Sequence, residues 1–523
     1  MTKFNKPSQH TILKTRGGPI ATNPVATGTT YNGAPGYEYD TLSQLFLLAC
    51  TNMVGEDTFY ENGKLRDTRF MNLIEKAVVE GHIDWLERFF PWLRNQANMR
   101  SAAIVGATVT AKTMVGLDIP GSRTLINNVL VRADEPGEML AFYMNTFGRK
   151  IPKPIKRGIA DAAARLYTER NALKYDTASK GLRFGDVIEL THPAPKQLDQ
   201  DVLFDYLISR GKRRDPLQIP ASLAMFTANA ALRKDAAESP QHLLNTARLR
   251  QAGMTWEDVL SLGGAKLNKR DMWRAIIPEM GFMALLRNLR NFDENDIKGD
   301  EYDLIKQKMT SPAEVAKSRQ LPLRFLSAYR NVPSNRWAQS LEEALDLCLN
   351  NLPIFRDRTL ILIDTSGSMD DQLSAKSQLK RWDAAVMFGL ALAARCHDAD
   401  VVSFAGTTRK FPKVKGESLL KGIERFMAGY VINGGTATAE AVRSHYSNHD
   451  RVVILTDEQA NANQGIFNVV PVAKTAITFN LAGYEYGHAP SWSANRVTFG
   501  GLSDAAFSMI AAFDDRGRSE WPF

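Results

Sequence analysis

Thr359-Leu-Ile-Leu-Ile-Asp-Thr-Ser-Gly-Ser-Met369 decides how the last third of this 523-residue chain folds. Residues 359–363 form a continuous apolar, β-branched run, the pattern of a strand buried on both faces in the middle of a parallel sheet. An aspartate follows at once, and then two serines spaced two apart. Two further runs have the same character, Asp400-Val-Val-Ser-Phe404 and Arg451-Val-Val-Ile-Leu-Thr456. Helical spacing fills the intervals, at 377–395, 418–427, 437–446 and 503–512. Strands alternating with helices predict a doubly wound α/β domain over 356–523, in which ligands gather at the carboxyl ends of the strands.

Three oxygen-bearing elements fall at such ends. Asp364, Ser366 and Ser368 can curl around one cation, Gly434-Gly-Thr-Ala-Thr438 offers Thr436 on a loop before a helix, and the 451–456 strand delivers Asp457. A donor set made only of oxygen suits a hard divalent ion, Mg²⁺ first, with Mn²⁺ or Ca²⁺ as alternatives. The bland reading makes Ser-Gly-Ser a polar turn and Asp457 a helix cap. A serine hydrolase is the other competitor, but its nucleophile elbow needs glycines flanking the serine, and Asp364 and Met369 stand around this one.

The grammar is different upstream. From about residue 41 to 352, helix-length segments follow one another with apolar residues three and four apart, as in Leu42, Leu45, Phe46, Ala49 and Phe70, Leu73, Ile74, Ala77. Further segments at 83–93, 97–114, 155–175, 201–209, 222–232, 240–250, 271–289 and 338–352 are separated by prolines and glycines, with no strand signal between them. Roughly 300 residues of helices on short connections point to stacked pairs of the HEAT or armadillo kind. Residues 1–40, rich in Gly, Pro, Thr and Asn, read as an extended arm. The expected domains are therefore 1–40, 41–355 and 356–523.

Composition narrows the class. No apolar stretch reaches the roughly 20 residues that cross a bilayer, and the N-terminus lacks the apolar core of a secretory signal, so the expected setting is the cytoplasm. Cys50, Cys348 and Cys396 are odd in number and widely spaced, the pattern of buried free thiols and not of a disulfide framework. The formal charge is +8, and the whole excess lies before residue 356. Arg149, Lys150, Lys153, Lys156 and Arg157 precede the first acid, Asp161, and Arg165, Arg170 and Lys174 continue the run. Arg210-Gly-Lys-Arg-Arg214 is a second cluster. Phosphates are the natural partner of such groups, although a charge run can also be a solvated face.

Two resemblances fit these residues. The order Asp364-x-Ser366-x-Ser368, Thr436, Asp457 resembles the metal-ion-dependent adhesion site of von Willebrand factor A domains, and it implies those five residues as ligands, some through water. Lys174 to Pro195 (KYDTASKGLRFGDVIELTHPAP), Lys266 to Pro278 (KLNKRDMWRAIIP) and Gly281 to Phe292 (GFMALLRNLRNF) resemble the TROVE module of the Ro autoantigen family. That resemblance implies a ring-shaped, HEAT-like helical domain followed by a von Willebrand A domain. The implied protein is a monomeric, non-catalytic RNA-binding ring that takes the single-stranded 3′ ends of misfolded small RNAs and a noncoding Y-like RNA. Bacterial relatives also imply an exoribonuclease ring as partner.

Lys174 and His192 match positions the family uses for RNA contact. The arginine expected shortly after Lys174 is replaced here by Ala178 and Ser179, with Lys180 the nearest cation, which keeps charge but loses the bidentate fork. His192 could equally stack or hydrogen-bond at a helix end. Arg287 and Arg290, three apart on one helix, either line the hole or brace neighbouring helices through buried acids. The competing function from another class is a protein-interaction scaffold bridged by the metal. Metal-dependent hydrolysis is the weakest reading, since no general base has a place beside Asp364.

Overall fold

The computed structural model describes residues 20–51, 57–58, 60–179, 181–212, 218–318, 320, 322–332, 334–349, 354–373, 379–430, 434–461, 470–471, 474–489, 491, 496–500 and 521–523. They form two compact units, one made of the residues up to Leu73 with those from Leu349 onward, the other of Ile74–Cys348.

Nine strands belong to the first unit, among the described residues: β1 (Gly28–Thr29), β2 (Pro35–Glu38), β3 (Thr359–Asp364), β4 (Ala399–Phe404), β5 (Thr408–Phe411), β6 (Arg451–Thr456), β7 (Thr475–Asn480), β8 (Tyr486–Gly487) and β9 (Arg496–Gly500). Six of them make one sheet in the order β5-β4-β3-β6-β7-β9. All neighbours are parallel except β4 and β5. The three strands expected from the sequence are its centre. Alternate residues serve opposite faces. Leu360, Leu362, Val402, Phe404, Val452 and Ile454 join Ala439 and Val442 of the helix Thr438–His445 in one buried cluster. Ile363 and Leu455 point the other way, to the helix Arg381–Arg395, whose Gly389 lies so close that an added Cβ would stand 2.6 Å from Ile363 and 3.0 Å from Leu455. Helices on both faces are what a doubly wound sheet requires. The helix expected at 503–512 lies outside the described residues.

Residues 20–40 depart from the expected arm, and residues 1–19 lie outside the described residues. β2 pairs with β1 on one side and with β8 on the other, Tyr37 opposite Gly487. The Thr30 hydroxyl donates to the Ala460 carbonyl at 2.8 Å in a buried position. The helix Thr41–Thr51, read from sequence as the first of the solenoid, is buried along almost its whole length and packs on β9, with Leu47 against Gly500. Arg66 and Arg69 then donate to the carbonyls of Ala482 and Gly483 at 2.8 and 2.9 Å. The boundary expected at 40 and 41 is therefore displaced to about residue 73. The reason is that the partners of this polar, turn-rich segment lie more than 400 residues downstream, where no local pattern registers them.

The second unit is helical, and its helices pack chiefly on those near them in sequence. The helix Ile83–Asn95 buries Trp85, Phe89, Phe90 and Trp92, and Gly106 of the helix Arg100–Gly116 lets Phe90 approach its backbone. Between the helices Ile83–Asn95 and Glu135–Phe147, the fully buried Glu135 is held by Arg94 at 2.6 Å, by Arg100 at 3.2 Å and by the backbone N–H groups of Val131 and Arg132. A buried carboxylate survives only with such a complete set of donors. The expected helix at 155–175 is two, Lys153–Leu166 and Glu169–Tyr175, because the Thr168 hydroxyl caps the second by accepting from Asn171 N–H. The expected helix at 271–289 is likewise broken, at Pro278 and Gly281, into Lys269–Ile276 and Phe282–Glu294.

Candidate metal centre and basic surface

Because β3 and β6 are adjacent and parallel, with Ile363 beside Leu455, their carboxyl ends bring Asp364 and Asp457 to one place. Both are fully buried. Asp364 accepts from Ser366 N–H at 2.8 Å through Oδ1 and from the Thr456 hydroxyl through Oδ2. The chain then makes a short 3₁₀ turn, Gly367–Asp370, which leaves the hydroxyls of Ser366 and Ser368 3.3 Å apart. Ser368 also reaches the Asp457 carboxylate. The loop at 434–437 is drawn in by Gly367 N–H donating to the Gly434 carbonyl at 3.3 Å, at a glycine whose φ of +73° a side chain would strain. Asn461 holds Thr436 through both backbone groups, its Oδ1 taking Thr436 N–H and its own N–H going to Thr436 O. The five residues expected as ligands therefore stand together.

Their electrostatics ask for a cation. Burial, and then the charge of Asp457, push the Asp364 carboxyl up to about 7, and burial raises Asp457 as well. The buried Asp457 Oδ2 and Thr436 Oγ1 have no hydrogen-bond partner among the described residues. A nearby buried cation, Arg381, is paired to Asp371 at 3.0 Å and donates to the Ser368 carbonyl at 3.4 Å. No group of three or more His, Cys, Asp or Glu side chains is placed to hold a metal among the described residues. The site's donors are two carboxylates and three hydroxyls, which fit a hard ion that keeps part of its water shell. Such an ion would neutralise both carboxylates and offer a position to an oxygen ligand. Sequence reasoning missed Thr456, Asn461 and Arg381, which orient the residues expected as ligands. Of these only Thr456, at the end of a strand already recognised, carried a local signal.

The residues expected to meet RNA lie in the helical unit. Lys150, Lys153 and Arg157 are exposed and Lys156 half-buried, at the start of Lys153–Leu166, whose first turn holds no acid. The acid that follows them, Asp161, is engaged instead by Arg123 at 2.6 Å and by Lys196 at 4.0 Å. Cations at a helix N-terminus oppose the macrodipole, so this arrangement costs the fold something and favours an anion there. Lys174 is exposed, its Nζ 5.1 Å above the Tyr175 ring. His192, with φ +52°, ends the helix Phe184–Thr191 in the left-handed region and is exposed. Lys180 lies outside the described residues.

Arg287 and Arg290 are exposed on Phe282–Glu294, and Arg290 pairs at 2.7 Å with Glu294 of the same helix, itself exposed, so it does not brace a neighbour through a buried acid. Other cations of the sequence runs are consumed by the fold. Arg165 donates to the carbonyls of Asn127 and Leu130, Arg210 pairs with Asp176 at 3.3 Å, and Lys212 pairs with Glu189. Arg213 and Arg214 lie outside the described residues.

Residues 247–388 match the TROVE domain family model. A stretch of 80 residues, 15% of this chain, is 39% identical to telomerase protein component 1 of Mus musculus, and 77 residues, 14% of the chain, are 39% identical to telomerase protein component 1 of Rattus norvegicus. Each match spans only 3% of that protein's length. The crystal structure of the Deinococcus radiodurans RO (RSR) protein is similar in fold, with a TM-score of 0.59 and 19% identity, covering 90% of this chain and 99% of that one. Residues 247–388 therefore carry the sequence of a TROVE domain, and the chain, with a helical unit and a mixed-sheet unit, has the fold of the RO (RSR) protein.

Proposed function

We propose that the protein binds small noncoding RNA, taking single-stranded 3′ ends of misfolded or aberrant RNAs and a Y-like RNA, without chemistry of its own, in RNA quality control in the cytoplasm. The observation that carries this reading is the group of cations at Lys150, Lys153, Lys156 and Arg157, gathered just before and at the start of one helix while the acid that follows them, Asp161, is engaged elsewhere. Lys174, Lys180, His192, Arg287 and Arg290 are the further contacts proposed, with Lys174, Arg287 and Arg290 supplying charge and His192 a planar ring for stacking. In this reading an exoribonuclease ring is the partner that would consume the RNA.

The test is binding of a labelled structured RNA with a free single-stranded 3′ tail, against the same RNA with the tail paired to a blunt end. Preference for the tailed RNA, with affinity falling steeply as salt rises, supports the reading. Equal affinity for both sinks it.

The alternative is a protein-interaction scaffold that acts through the metal site. Asp364, Ser366, Ser368, Thr436 and Asp457 are proposed to hold Mg²⁺, with Mn²⁺ or Ca²⁺ as substitutes, and the orphaned oxygens of Asp457 and Thr436 support it. A scaffold that captures a protein carboxylate at the metal would lose its partners on chelation by EDTA. An RNA-bridged assembly would lose them on nuclease treatment.

A further inference from the structure

A cluster of three tyrosines stands beside the metal site, and two of them come from the N-terminal stretch of the same unit. Tyr31 and Tyr60 stack with ring centroids 4.7 Å apart and planes 5° from parallel. Tyr484, from the loop after β7, stands edge-on to both, at 5.6 and 5.5 Å. Asn32 ties the group to the loop that follows Asp457. Its Nδ2 donates to the Gln459 carbonyl at 2.7 Å and to the Tyr60 hydroxyl at 3.3 Å, while Tyr31 N–H donates to Gln459 Oε1 at 2.9 Å. The Tyr60 hydroxyl shares a hydrogen bond with the Ser368 side chain and lies in the field of Asp457 and Asp364. On the far side Arg381 donates both to Tyr484 OH, at 3.2 Å, and to the Ser368 carbonyl. Tyr60 is half-buried.

We infer that Tyr60 is part of the metal site: its hydroxyl, placed by the stack on Tyr31 and the bond from Asn32, covers the face by which a partner's carboxylate would reach a cation held by Asp364, Ser366, Ser368, Thr436 and Asp457. A phenol oxygen is a neutral hard donor and can serve a divalent ion directly or through one of its waters. An aromatic side chain fixed by stacking loses little further freedom in doing so. The consequence is that the cation pins the N-terminal stretch to the sheet. A docking carboxylate has to displace Tyr60 first, so the site discriminates against weak ligands. Neither Tyr31 nor Tyr60 sits in any metal-binding pattern of the sequence. Only the fold brings Tyr60 to Ser368 and Tyr31 onto the Tyr60 ring.

This inference rests on the metal reading, and the experiment separates the two. Mn²⁺ is titrated into the full chain and the free ion is counted by electron paramagnetic resonance, with the Mn²⁺-induced rise in Tm measured alongside. Wild type is expected to bind one Mn²⁺ that Asp364→Asn abolishes. Tyr60→Phe keeps the stack and loses the hydroxyl, and is expected to bind roughly tenfold more weakly, as loss of an orienting group at a metal site does. Asn32→Ala, which frees the phenol without removing it, is expected to fall between. Tyr31→Phe should match wild type. Equal Tm values in EDTA establish that the variants fold. Wild-type affinity in Tyr60→Phe overturns the role of Tyr60 while leaving the metal site standing. No saturable binding in wild type overturns the metal reading itself.

Discussion

Tyr39 donates its phenolic proton to Glu458, 419 residues further along the chain, and both side chains are buried. Asn480 Nδ2 donates to the same carboxylate at 2.6 Å. Glu458 has φ +64°, a backbone conformation that side chains rarely adopt, directly after Asp457, a proposed metal ligand. Burial pushes its carboxyl up to about 7. Tyr39 therefore does two things at once. It anchors the N-terminal stretch and it fixes the strained turn that aims Asp457.

Removing that hydroxyl leaves a buried acceptor short of a donor. Tyr39→Phe is expected to cost about 1–3 kcal/mol in stability by chemical denaturation, although the ring itself is retained. Ala in place of Phe should cost more, because it adds a cavity. Loss of less than about 0.5 kcal/mol in Tyr39→Phe would mean that Asn480 alone satisfies Glu458.

The two carboxylates at the sheet's end predict a crossing of stabilities. Asp457→Asn removes a buried charge whose Oδ2 has no hydrogen-bond partner among the described residues, so in EDTA it should be as stable as wild type or more so. Added Mg²⁺ should reverse the order. At a hundred times its Kd the ion would stabilise wild type by about 2.7 kcal/mol and the variant not at all. Thermal melts of both proteins, with EDTA and with Mg²⁺, check it. An equal response to Mg²⁺ would place the ion elsewhere.

These relationships show what the sequence could carry. The centre of the sheet was legible because β3, β4 and β6 are continuous apolar runs, and a run buried on both faces declares itself locally. Asp364, Ser366 and Ser368 were legible for the same reason, being consecutive with a strand end. β7 and β9 were not singled out, and the two-residue strands β1 and β8 have no pattern long enough to read. Residues 1–40 read as an arm because turn residues dominate them, while residues 28–39 are held by the pairing of β2 with β8 and by Tyr39 and Thr30 meeting the far end of the chain, as Tyr60 does further on. Among the cations, charge was visible but engagement was not. Nothing in the sequence distinguishes Arg165, spent on two carbonyls, from Arg157, exposed on the same helix.

His488 gives the first unit an acid limit. It is fully buried, its Nε2 3.3 Å from Thr478 Oγ1 and 3.7 Å from Glu458 Oε1, and burial lowers it to about 3. The unfolded chain takes up a proton at this residue as pH falls through 6.5, and the folded one does not until about 3. Its contribution is thus complete above pH 6.5 and is lost on acidification, by up to about 1.4 kcal/mol per pH unit in that window. His488→Gln should show a shallower fall in stability between pH 6.5 and 4. Identical acid limbs for the two proteins would show that His488 is solvated before the unit unfolds.

The basic surface is best tested by the slope of its salt dependence. Each phosphate neutralised on a single strand contributes about 0.7 to the fall of log affinity with log salt. If Lys153, Lys156 and Arg157 each meet one phosphate, replacing all three with alanine should flatten the slope by about 2 and weaken binding at low salt by a hundredfold or more. Ile155 and Ile159, which bury the opposite side of that helix, remain in place, so the helix should persist and the Tm should hardly change. Arg165→Ala makes the contrast. That residue is spent on the Asn127 and Leu130 carbonyls, so its loss should lower the Tm and leave the slope alone. Filter binding or fluorescence anisotropy from 50 to 300 mM salt separates the two outcomes. A triple variant with the wild-type slope would remove this helix from the RNA path and shift attention to Arg287 and Lys174.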